Sequence, residues 1–501
     1  MLWLTVAGAL WSLPLWLIRF PPMVDYPQQL AAASILRFYG DPARGLRQLY
    51  EIVLLRPQGL FEMITAGLAF LLPIEAAGKL VVSLCLLAVP LCVLLLCRRT
   101  GRPAWYALLA LAVTYNHAFY WGFADNLVAY PLVLLGIALA DRAFDGPFRW
   151  TSWTLLAAIG LLFYTVHLEF LLVFAGAVGW LGIVRRPGLR GLTLWLSSLV
   201  PGLALGMGVL SWAHLHAAEI MTAYQQRLAA DPAHYTSLAA KASRMPEILF
   251  GGSADGLCYL LVAVLLAVFL ALAVSRSGEG GALYRTRFVS LAAWIGLLFF
   301  ILPDFTRGYL VSDRLLPLAV MLLIPGLPCP APRRLRFAAL LTAGLLALQL
   351  LRTTTGFFNF AAEADGLGEL LDQAAPGQSL AGLIYETGGE LGANGWEVPP
   401  ELIHFPAWYQ VLKGGRIHFS FLQFFNSPVA YRPGRDEDGP LLAEWNEWSP
   451  QRFVYPRHAS HYRYFLVRGG PEHVAAAFGP YLQETRVLRA GRWFLVERLP
   501  R

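Results

Sequence analysis

The chain has 501 residues, of which 57% are hydrophobic and only 14% are charged. Soluble domains carry about 25% charged residues, so this composition excludes an ordinary soluble protein and indicates an integral membrane protein. The net charge of +7 comes almost wholly from arginine. In a membrane protein such an excess marks cytoplasmic loops rather than a nucleic-acid-binding surface, so no nucleic-acid partner is expected.

About eleven apolar runs are predicted to be transmembrane helices, because each approaches the ~20 residues that cross a bilayer. The first run has no basic n-region and no small-residue cleavage site, which favours a retained span over a signal peptide. A further run at 59–73 is short, contains Glu62 and ends in proline. It is predicted to be a re-entrant or interfacial helix. The predicted spans are residues 2–19, 77–97, 103–119, 127–143, 151–166, 168–184, 191–212, 256–275, 287–302, 309–324 and 335–351.

Basic connections follow every second predicted span, which fixes the expected orientation. With the N-terminus in the cytoplasm all of these connections lie inside, as the positive-inside rule requires. The outer loops then include residues 20–76 and 213–255, and the chain is expected in a bacterial inner membrane. The basic connections are residues 97–102, 141–149, 185–190, 275–287 and 332–336.

Residues 352–501 differ in character from the multi-span domain at 1–351. Short apolar bursts such as "RYFLVRGG" alternate with turn signals such as "RPGRDEDG", and "PEHVAAAFGPYLQE" reads as an amphipathic helix. The tail is therefore predicted to be a periplasmic α/β domain with a core of its own.

The predicted outer loops hold an unusual share of ionisable and amide side chains. Such groups are costly at span ends unless they face a polar cavity or each other, so they predict a shared outward-opening cavity. The candidates for catalysis are Asp25, Asp125, His167 and Glu169, and those for substrate binding are Tyr26, Gln29, Asn116, His117, Trp121, Asp304, Arg307 and Arg314.

Structural explanations stand beside these functional ones. Asp25 could cap the helix that follows it, because Asp before a proline-containing first turn is a common helix start. His117 and Trp121 could belong to an interfacial aromatic belt. His167 and Glu169 could satisfy backbone groups at a tight hairpin.

The order of these features resembles a known class of enzymes. A first span, an outer-loop "VDYPQQLAAA" (24–33), many further spans and a periplasmic α/β tail resemble the GT-C integral-membrane glycosyltransferases. The stretch is similar to the D-x-P-x-H-L-A motif of GT-C-like bacterial membrane proteins, with Gln29 in place of the histidine. By this resemblance Asp25 is the catalytic or metal-associated carboxylate. A second acidic element is implied either at Asp125 or at His167 and Glu169.

The resemblance also implies the chemistry. The donor of GT-C enzymes is a polyprenyl-phosphate-linked sugar, and a divalent cation such as magnesium or manganese can assist, with Asp25 as the candidate ligand. Arginine suits a phosphate because its planar fork donates two parallel hydrogen bonds, which favours Arg307 and Arg314. Arg314 could instead pair with Asp313 in a structural role.

Three functions therefore remain open from the sequence. The first is a glycosyltransferase moving a sugar from a polyprenyl-phosphate donor to a periplasmic or lipid-linked acceptor. The second is a non-catalytic GT-C-like protein that binds lipid-linked glycans in envelope assembly. The third is a secondary transporter, against which stands the lack of paired, Gly/Pro-broken spans. The transferase predicts one cavity lined by Asp25, a second acid and an arginine, whereas a transporter predicts a polar site near the bilayer midplane.

Overall fold

A computed structural model of the chain is mostly helical. It describes residues 2–54, 56–185, 188–216, 230, 232–251, 256–273, 286–306, 309–388, 400–424, 426–436 and 441–500. Up to residue 363 its α-helices are α1 (Leu2–Leu17), α2 (Tyr26–Phe38), α3 (Leu46–Leu49), α4 (Leu60–Leu68), α5 (Ile74–Arg99), α6 (His117–Tyr120), α7 (Ala124–Ala143), α8 (Trp150–Val166), α9 (Leu168–Arg185), α10 (Gly188–Leu196), α11 (Val200–Leu215), α12 (Leu238–Phe250), α13 (Gly256–Ala273), α14 (Arg287–Ile301), α15 (Leu315–Leu323) and α16 (Pro332–Glu363).

The helices confirm a polytopic membrane protein. Among the described residues six helical segments are long and apolar enough to cross a bilayer. Each predicted span has a helical counterpart, several of which are shorter than a bilayer crossing. The six long segments are Ile74–Arg99, Ala124–Ala143, Leu168–Arg185, Arg190–Leu215, Gly256–Ala273 and Pro332–Gln373.

Two predicted spans have different bounds in the structure. The run at 103–119 is a 3-10 helix over Ala104–Val113. It ends there because the Asn116 side chain bonds both the Val113 carbonyl and the Phe119 amide, which starts α6. The last predicted span, at 335–351, is part of the much longer α16, so the domain boundary expected at residue 351 falls inside a continuous helix.

The segment expected to be re-entrant is short, as its sequence suggested. Within residues 59–73 only Leu60–Leu68 form α4, a helix of nine residues. At 1.5 Å per residue this is about 14 Å, roughly half of the ~30 Å hydrocarbon thickness.

Several basic connections meet at one end of the helix bundle. The carboxylate of Asp141, near the end of α7, accepts hydrogen bonds from Arg99 (3.0 Å), Arg185 (2.8 Å) and Arg287 (2.7 Å). Asp145 pairs with the first two of these arginines. Four segments that the charge pattern assigns to the same side of the membrane are thus joined at one place.

The tail is an α/β domain, as expected. Its five-stranded sheet has the order β5 (Arg416–Ile417), β4 (Ser379–Ile384), β7 (Tyr464–Arg468), β9 (Trp493–Arg498) and β8 (Thr485–Ala490), parallel for the first three strands and antiparallel beyond them. Its helices are α17 (Leu367–Gln373), α18 (Ala407–Lys413), α19 (Tyr455–His458) and α20 (Pro471–Phe478).

The tail is docked on the segment between α1 and α5. Strand β1 (Tyr50–Ile52) of that segment pairs antiparallel with β6 (Val429–Tyr431) of the tail. A separate two-stranded ribbon, β2 (Phe305–Thr306) with β3 (Tyr309–Leu310), lies between α14 and α15 and takes no part in this pairing. Phe20, just after α1, packs edge-on against Trp408 with ring centroids 4.8 Å apart. One apolar core therefore continues from the membrane helices into the tail.

Candidate functional site

Asp25 contacts a histidine of the tail. Its Oδ1 lies 3.0 Å from Nδ1 of His404, and the two residues are 8% and 6% exposed. Although Asp25 precedes α2, its side chain makes no capping hydrogen bond to that helix. The capping explanation for this carboxylate therefore does not account for its position.

The loop before α7 lies directly against Asp25. The Asp25 amide donates to the Trp121 carbonyl (2.9 Å), and the Ala124 amide donates to Oε1 of Gln29 (3.2 Å). Gly122 has a φ of +74°, and a Cβ there would lie 2.8 Å from the Asp25 amide nitrogen. The start of α2 and the start of α7 are thus fixed side by side.

Arg314 organises the polar groups beside this junction. Its Nη1 lies 2.5 Å from Nε2 of His167, 3.4 Å from Oδ1 of Asn126 and 3.9 Å from Oε2 of Glu169. The guanidinium packs 4.3 Å from the Phe123 ring centroid. The sequence candidates His167, Glu169 and Arg314 therefore share one cluster, and Asn126 ties it to the neighbouring Asp125.

Many buried polar atoms in this cluster have no hydrogen-bond partner among the described residues. A buried polar atom left without a partner costs about 1–3 kcal/mol, so such atoms are rarely tolerated and several in one place need an explanation. Three of these atoms are hydrogen-bond donors, on Asn126, Arg314 and His167. The histidine nitrogen is a donor because the Arg314 guanidinium donates to Nε2, which leaves the ring proton on Nδ1. The atoms are Asn126 Nδ2, His167 Nδ1, Arg314 Nε, Asp125 Oδ1, Glu169 Oε1 and Glu62 Oε2.

Glu62 joins the cluster from α4. It is 6% exposed and lies within electrostatic range of Asp125. Burial raises the pKa of the Glu62 carboxyl to about 7. Carboxyl groups with a raised pKa are common at functional sites.

A second cluster joins other candidates. Nδ1 of His117 lies 3.4 Å from Asp313, which accepts a hydrogen bond from Arg244 (2.8 Å). His117 also accepts from the Trp121 indole (3.0 Å), and both rings are buried, unlike residues of an interfacial aromatic belt. The Asp313 carboxylate pairs with Arg244, and Arg314 reaches the cluster around His167 instead.

Three further sequence candidates, Asp304, Asn116 and Tyr26, make structural contacts. Asp304 accepts from the amide and hydroxyl of Thr236 and from Ser312, contacts that organise its loop. Asn116 caps α6, and Tyr26 is buried against Trp408. Arg307 lies outside the described residues.

Sequence reasoning missed two members of the site. His404 is 379 residues from Asp25 and belongs to a tail without a recognisable motif, so only the docking of the tail reveals it. Glu62 interrupts a short apolar run, a pattern that predicts a helix too short to span the membrane but assigns Glu62 no function. A carboxylate in an apolar segment is itself a signal for a functional site.

The expected divalent cation has few ligands here. Among the described residues no group of three or more His, Cys, Asp and Glu side chains could hold a metal ion. Asp25 and His404 form a pair of such side chains, and the described residues supply no third. The donor set therefore fits a hydrogen-bonded pair better than a metal centre.

Comparison with known proteins identifies the fold. No protein-family model matches the chain, and no curated protein matches it in sequence. The chain is similar to ArnT from Cupriavidus metallidurans bound to undecaprenyl phosphate, with a TM-score of 0.60 and 12% identity over 99% of this chain and 97% of that one. The apo state of that protein gives a TM-score of 0.50 at 13% identity and the same coverage. ArnT is a GT-C glycosyltransferase, so the chain has a GT-C-like membrane fold.

Proposed function

Starting from this GT-C-like fold, we propose that the protein is a glycosyltransferase that moves a sugar from a polyprenyl-phosphate-linked donor to a hydroxyl or amine acceptor. The observation that carries the proposal is the set of buried, unpartnered polar atoms around Arg314, next to Asp25. The similar ArnT structure contains undecaprenyl phosphate, a lipid of the class proposed here.

The unpartnered atoms suit a sugar phosphate. The three donors, on Asn126, His167 and Arg314, can bind phosphate oxygens, and the guanidinium adds the positive charge that strengthens such bonds. The three carboxylate oxygens, on Asp125, Glu169 and Glu62, can accept from sugar hydroxyls. Arg314 is the phosphate-binding residue of this proposal.

In this proposal Asp25 and His404 remove the proton from the acceptor. Transfer breaks the bond between the anomeric carbon and the phosphate oxygen, and the electron pair leaves with the phosphate. The acceptor must lose a proton as it attacks, and a positioned base contributes typically about 10²–10⁴-fold to such a step. The Asp25–His404 pair can take this proton without a metal ion, and transfer measured with and without a divalent cation tests this.

The location of the cluster supports this function over transport. Asp125 and Glu169 lie in the first turns of α7 and α9, and Arg314 immediately precedes α15. Asp125 is 16 residues from Asp141 of the arginine-rich end, about 24 Å along the helix. The polar site is thus at one end of the bundle rather than at its middle, where a transporter site is expected.

The arginine-rich end of the bundle supports the proposed orientation. We place the end with Arg99, Arg185 and Arg287 in the cytoplasm and the site and tail in the bacterial periplasm, following the positive-inside rule. A lipid-borne donor and a water-soluble acceptor can meet at that face.

The test uses the full-length protein in nanodiscs. Binding of undecaprenyl phosphate and transfer from a pool of radiolabelled polyprenyl-phosphate sugars are measured with and without magnesium or manganese. Binding and transfer together support the transferase. Binding without transfer from any donor to any acceptor supplied favours the non-catalytic glycan-binding protein, and absence of binding contradicts both.

A further inference from the structure

The tail contains a cavity directly beside Asp25. It is bounded by β4, by the loop before α18 and by the segment after β5, and Gln28 of α2 closes it from the membrane side. The Gln28 amide donates to the Phe419 carbonyl (3.0 Å) and accepts from the Phe421 amide (3.2 Å), so the cavity wall is tied to α2. The residues that line it include Gln28, Ile384, His404, His418, Phe419 and Glu447.

Two buried histidines line this cavity, and they differ in what their ring nitrogens do. His418 uses both: Nδ1 lies 2.7 Å from the Tyr462 hydroxyl and Nε2 lies 3.2 Å from the Trp445 carbonyl. Burial lowers the pKa of His418 to about 3, so it is a neutral structural group. His404 uses only Nδ1, towards Asp25, and its Nε2 is buried with no hydrogen-bond partner among the described residues.

The ring of His404 is held in place by aromatic neighbours. Phe419 stacks on it with centroids 5.3 Å apart and an interplanar angle of 22°, and Phe421 packs edge-on at 5.2 Å. An imidazole fixed on one nitrogen by a carboxylate and on both sides by packing has a defined orientation. The nitrogen that remains is the one available to the cavity.

The contact with Asp25 also sets the tautomer. An ionised carboxylate only accepts hydrogen bonds, so Nδ1 carries the proton and Nε2 presents a lone pair. The same arrangement of carboxylate, imidazole and hydroxyl activates hydroxyl groups in other enzymes, where the carboxylate orients the ring and stabilises the imidazolium that forms. Asp25 then acts through His404 rather than directly on the acceptor.

We propose that His404 is the base that deprotonates the acceptor, that Asp25 is its positioning residue, and that the tail cavity admits the reacting hydroxyl group of a carbohydrate acceptor. This inference rests on the proposed glycosyltransferase function. The acceptor oxygen bonds to the anomeric carbon, its proton moves to His404 Nε2, and the sugar–phosphate bond breaks with its electron pair on the lipid phosphate. The cavity is small and has room for a group of the size of one hydroxyl or water molecule.

The experiment measures donor binding and sugar transfer separately, in full-length protein in nanodiscs. The donors are radiolabelled polyprenyl-phosphate sugars, the acceptors are methyl glycosides, and water serves as the basal acceptor. We expect His404→Gln to lose about 100-fold or more in transfer to methyl glycosides, the contribution of a general base. Its binding of undecaprenyl phosphate should be unchanged, because His404 is outside the Arg314 cluster.

Chemical rescue separates catalysis from structure. His404→Ala leaves a space of imidazole size, so added imidazole should restore part of the transfer, which a purely structural role would not allow. Asp25→Asn should not respond to imidazole. His458→Gln is the matched control, since His458 is a buried histidine of the same domain that pairs with a carboxylate, Glu444 (3.2 Å), away from the cavity. Its transfer rate should equal that of the wild type.

The outcomes distinguish this inference from the proposed function. Wild-type transfer that persists in His404→Gln would overturn the role of His404 and leave the transferase intact. Loss of donor binding together with transfer, without rescue by imidazole, would also overturn it by showing a structural role. A wild type that neither binds undecaprenyl phosphate nor transfers sugar would contradict the proposed function and this inference with it.

Discussion

Arg314 is the residue on which the donor side of the account depends. Its guanidinium contacts His167, Asn126 and Glu169, and its Nε still has no partner among the described residues. Arginine presents five donors in a fixed plane, so it can hold these neighbours and still bind a phosphate. A lysine at this position would supply the charge without the planar geometry.

We predict that Arg314→Gln weakens binding of undecaprenyl phosphate by roughly 10–100-fold, because a hydrogen bond to a charged group contributes about 1.5–3 kcal/mol. Arg314→Lys should lie between Gln and wild type. Binding is measured with the labelled lipid in nanodiscs. Arg352→Gln is the control, since Arg352 binds the carbonyls of Phe250 and Gly251. Equal affinities in Arg314→Gln and wild type would exclude Arg314 from the phosphate site.

Glu401 gives a prediction about pH and stability in the α/β tail. Burial, with the Glu363 charge nearby, raises the pKa of this carboxyl from an ordinary 4.5 to about 8. The folded state therefore favours the protonated acid. Its contribution to stability is complete below about pH 4.5 and is lost as the pH rises to about 8.

We therefore expect the melting temperature of the wild type to fall between about pH 5 and pH 8. The corresponding loss in the free energy of unfolding is on the order of 1.4 kcal/mol per unit of pKa difference. Glu401→Gln should make this fall shallower. Glu472→Gln, at an exposed position of the same domain, serves as control and should keep the wild-type slope. An unchanged slope in Glu401→Gln would show that Glu401 is charged throughout this range.

At the scale of elements, the site depends on how the starts of α2 and α7 approach each other. Gly122 permits this approach because its φ of +74° suits glycine and because a Cβ would lie 2.7 Å from the Tyr26 amide nitrogen. The adjacent backbone contact between Asp25 and Trp121 then sets the position of the Asp25 carboxylate.

Gly122→Ala should therefore destabilise the protein and reduce transfer, and a matched variant separates the two causes. Gly101 also has a positive φ, +67°, but a Cβ there would meet nothing within 4 Å. Gly101→Ala should cost only the conformational penalty of about 1–2 kcal/mol and leave transfer unchanged. Melting temperature and sugar transfer are measured for both. Similar behaviour of the two variants would contradict the close-approach argument.

The sequence predicted some elements well and others poorly, for physical reasons. Long apolar helices such as α5 and α7 follow from composition alone. The end of the 3-10 helix at Val113 does not, because it depends on hydrogen bonds of the Asn116 side chain, which hydropathy cannot reveal. The grouping of His167, Glu169 and Arg314 followed from the cost of ionisable groups at span ends. The pairing of Asp25 with His404 depends on tertiary docking, which no local pattern encodes.

At the scale of the whole molecule, the polar residues are gathered at the two ends of one helix bundle. One end holds the candidate site and the docked tail, and the other holds Asp141 with its three arginines. Asp141 is fully buried and joins α5, α7, α9 and α14. This second group stabilises the bundle and takes no part in the proposed chemistry.

We predict that Asp141→Asn lowers the stability of the bundle by about 3–5 kcal/mol, because removing one partner of a buried ion pair leaves uncompensated charge. Protein that remains folded should bind undecaprenyl phosphate with wild-type affinity. Thermal unfolding in detergent and lipid binding in nanodiscs check the two statements. A loss of lipid affinity in folded Asp141→Asn would show that this end communicates with the site.

The central claim is that Asp25 is required for transfer of a sugar from a lipid phosphate and not for binding the lipid. The most direct measurement compares wild type with Asp25→Asn in nanodiscs, scoring both binding of undecaprenyl phosphate and turnover of labelled polyprenyl-phosphate sugars. The account predicts that the variant keeps wild-type binding and loses turnover by about 10²-fold or more. Turnover in the variant equal to that of the wild type would contradict it.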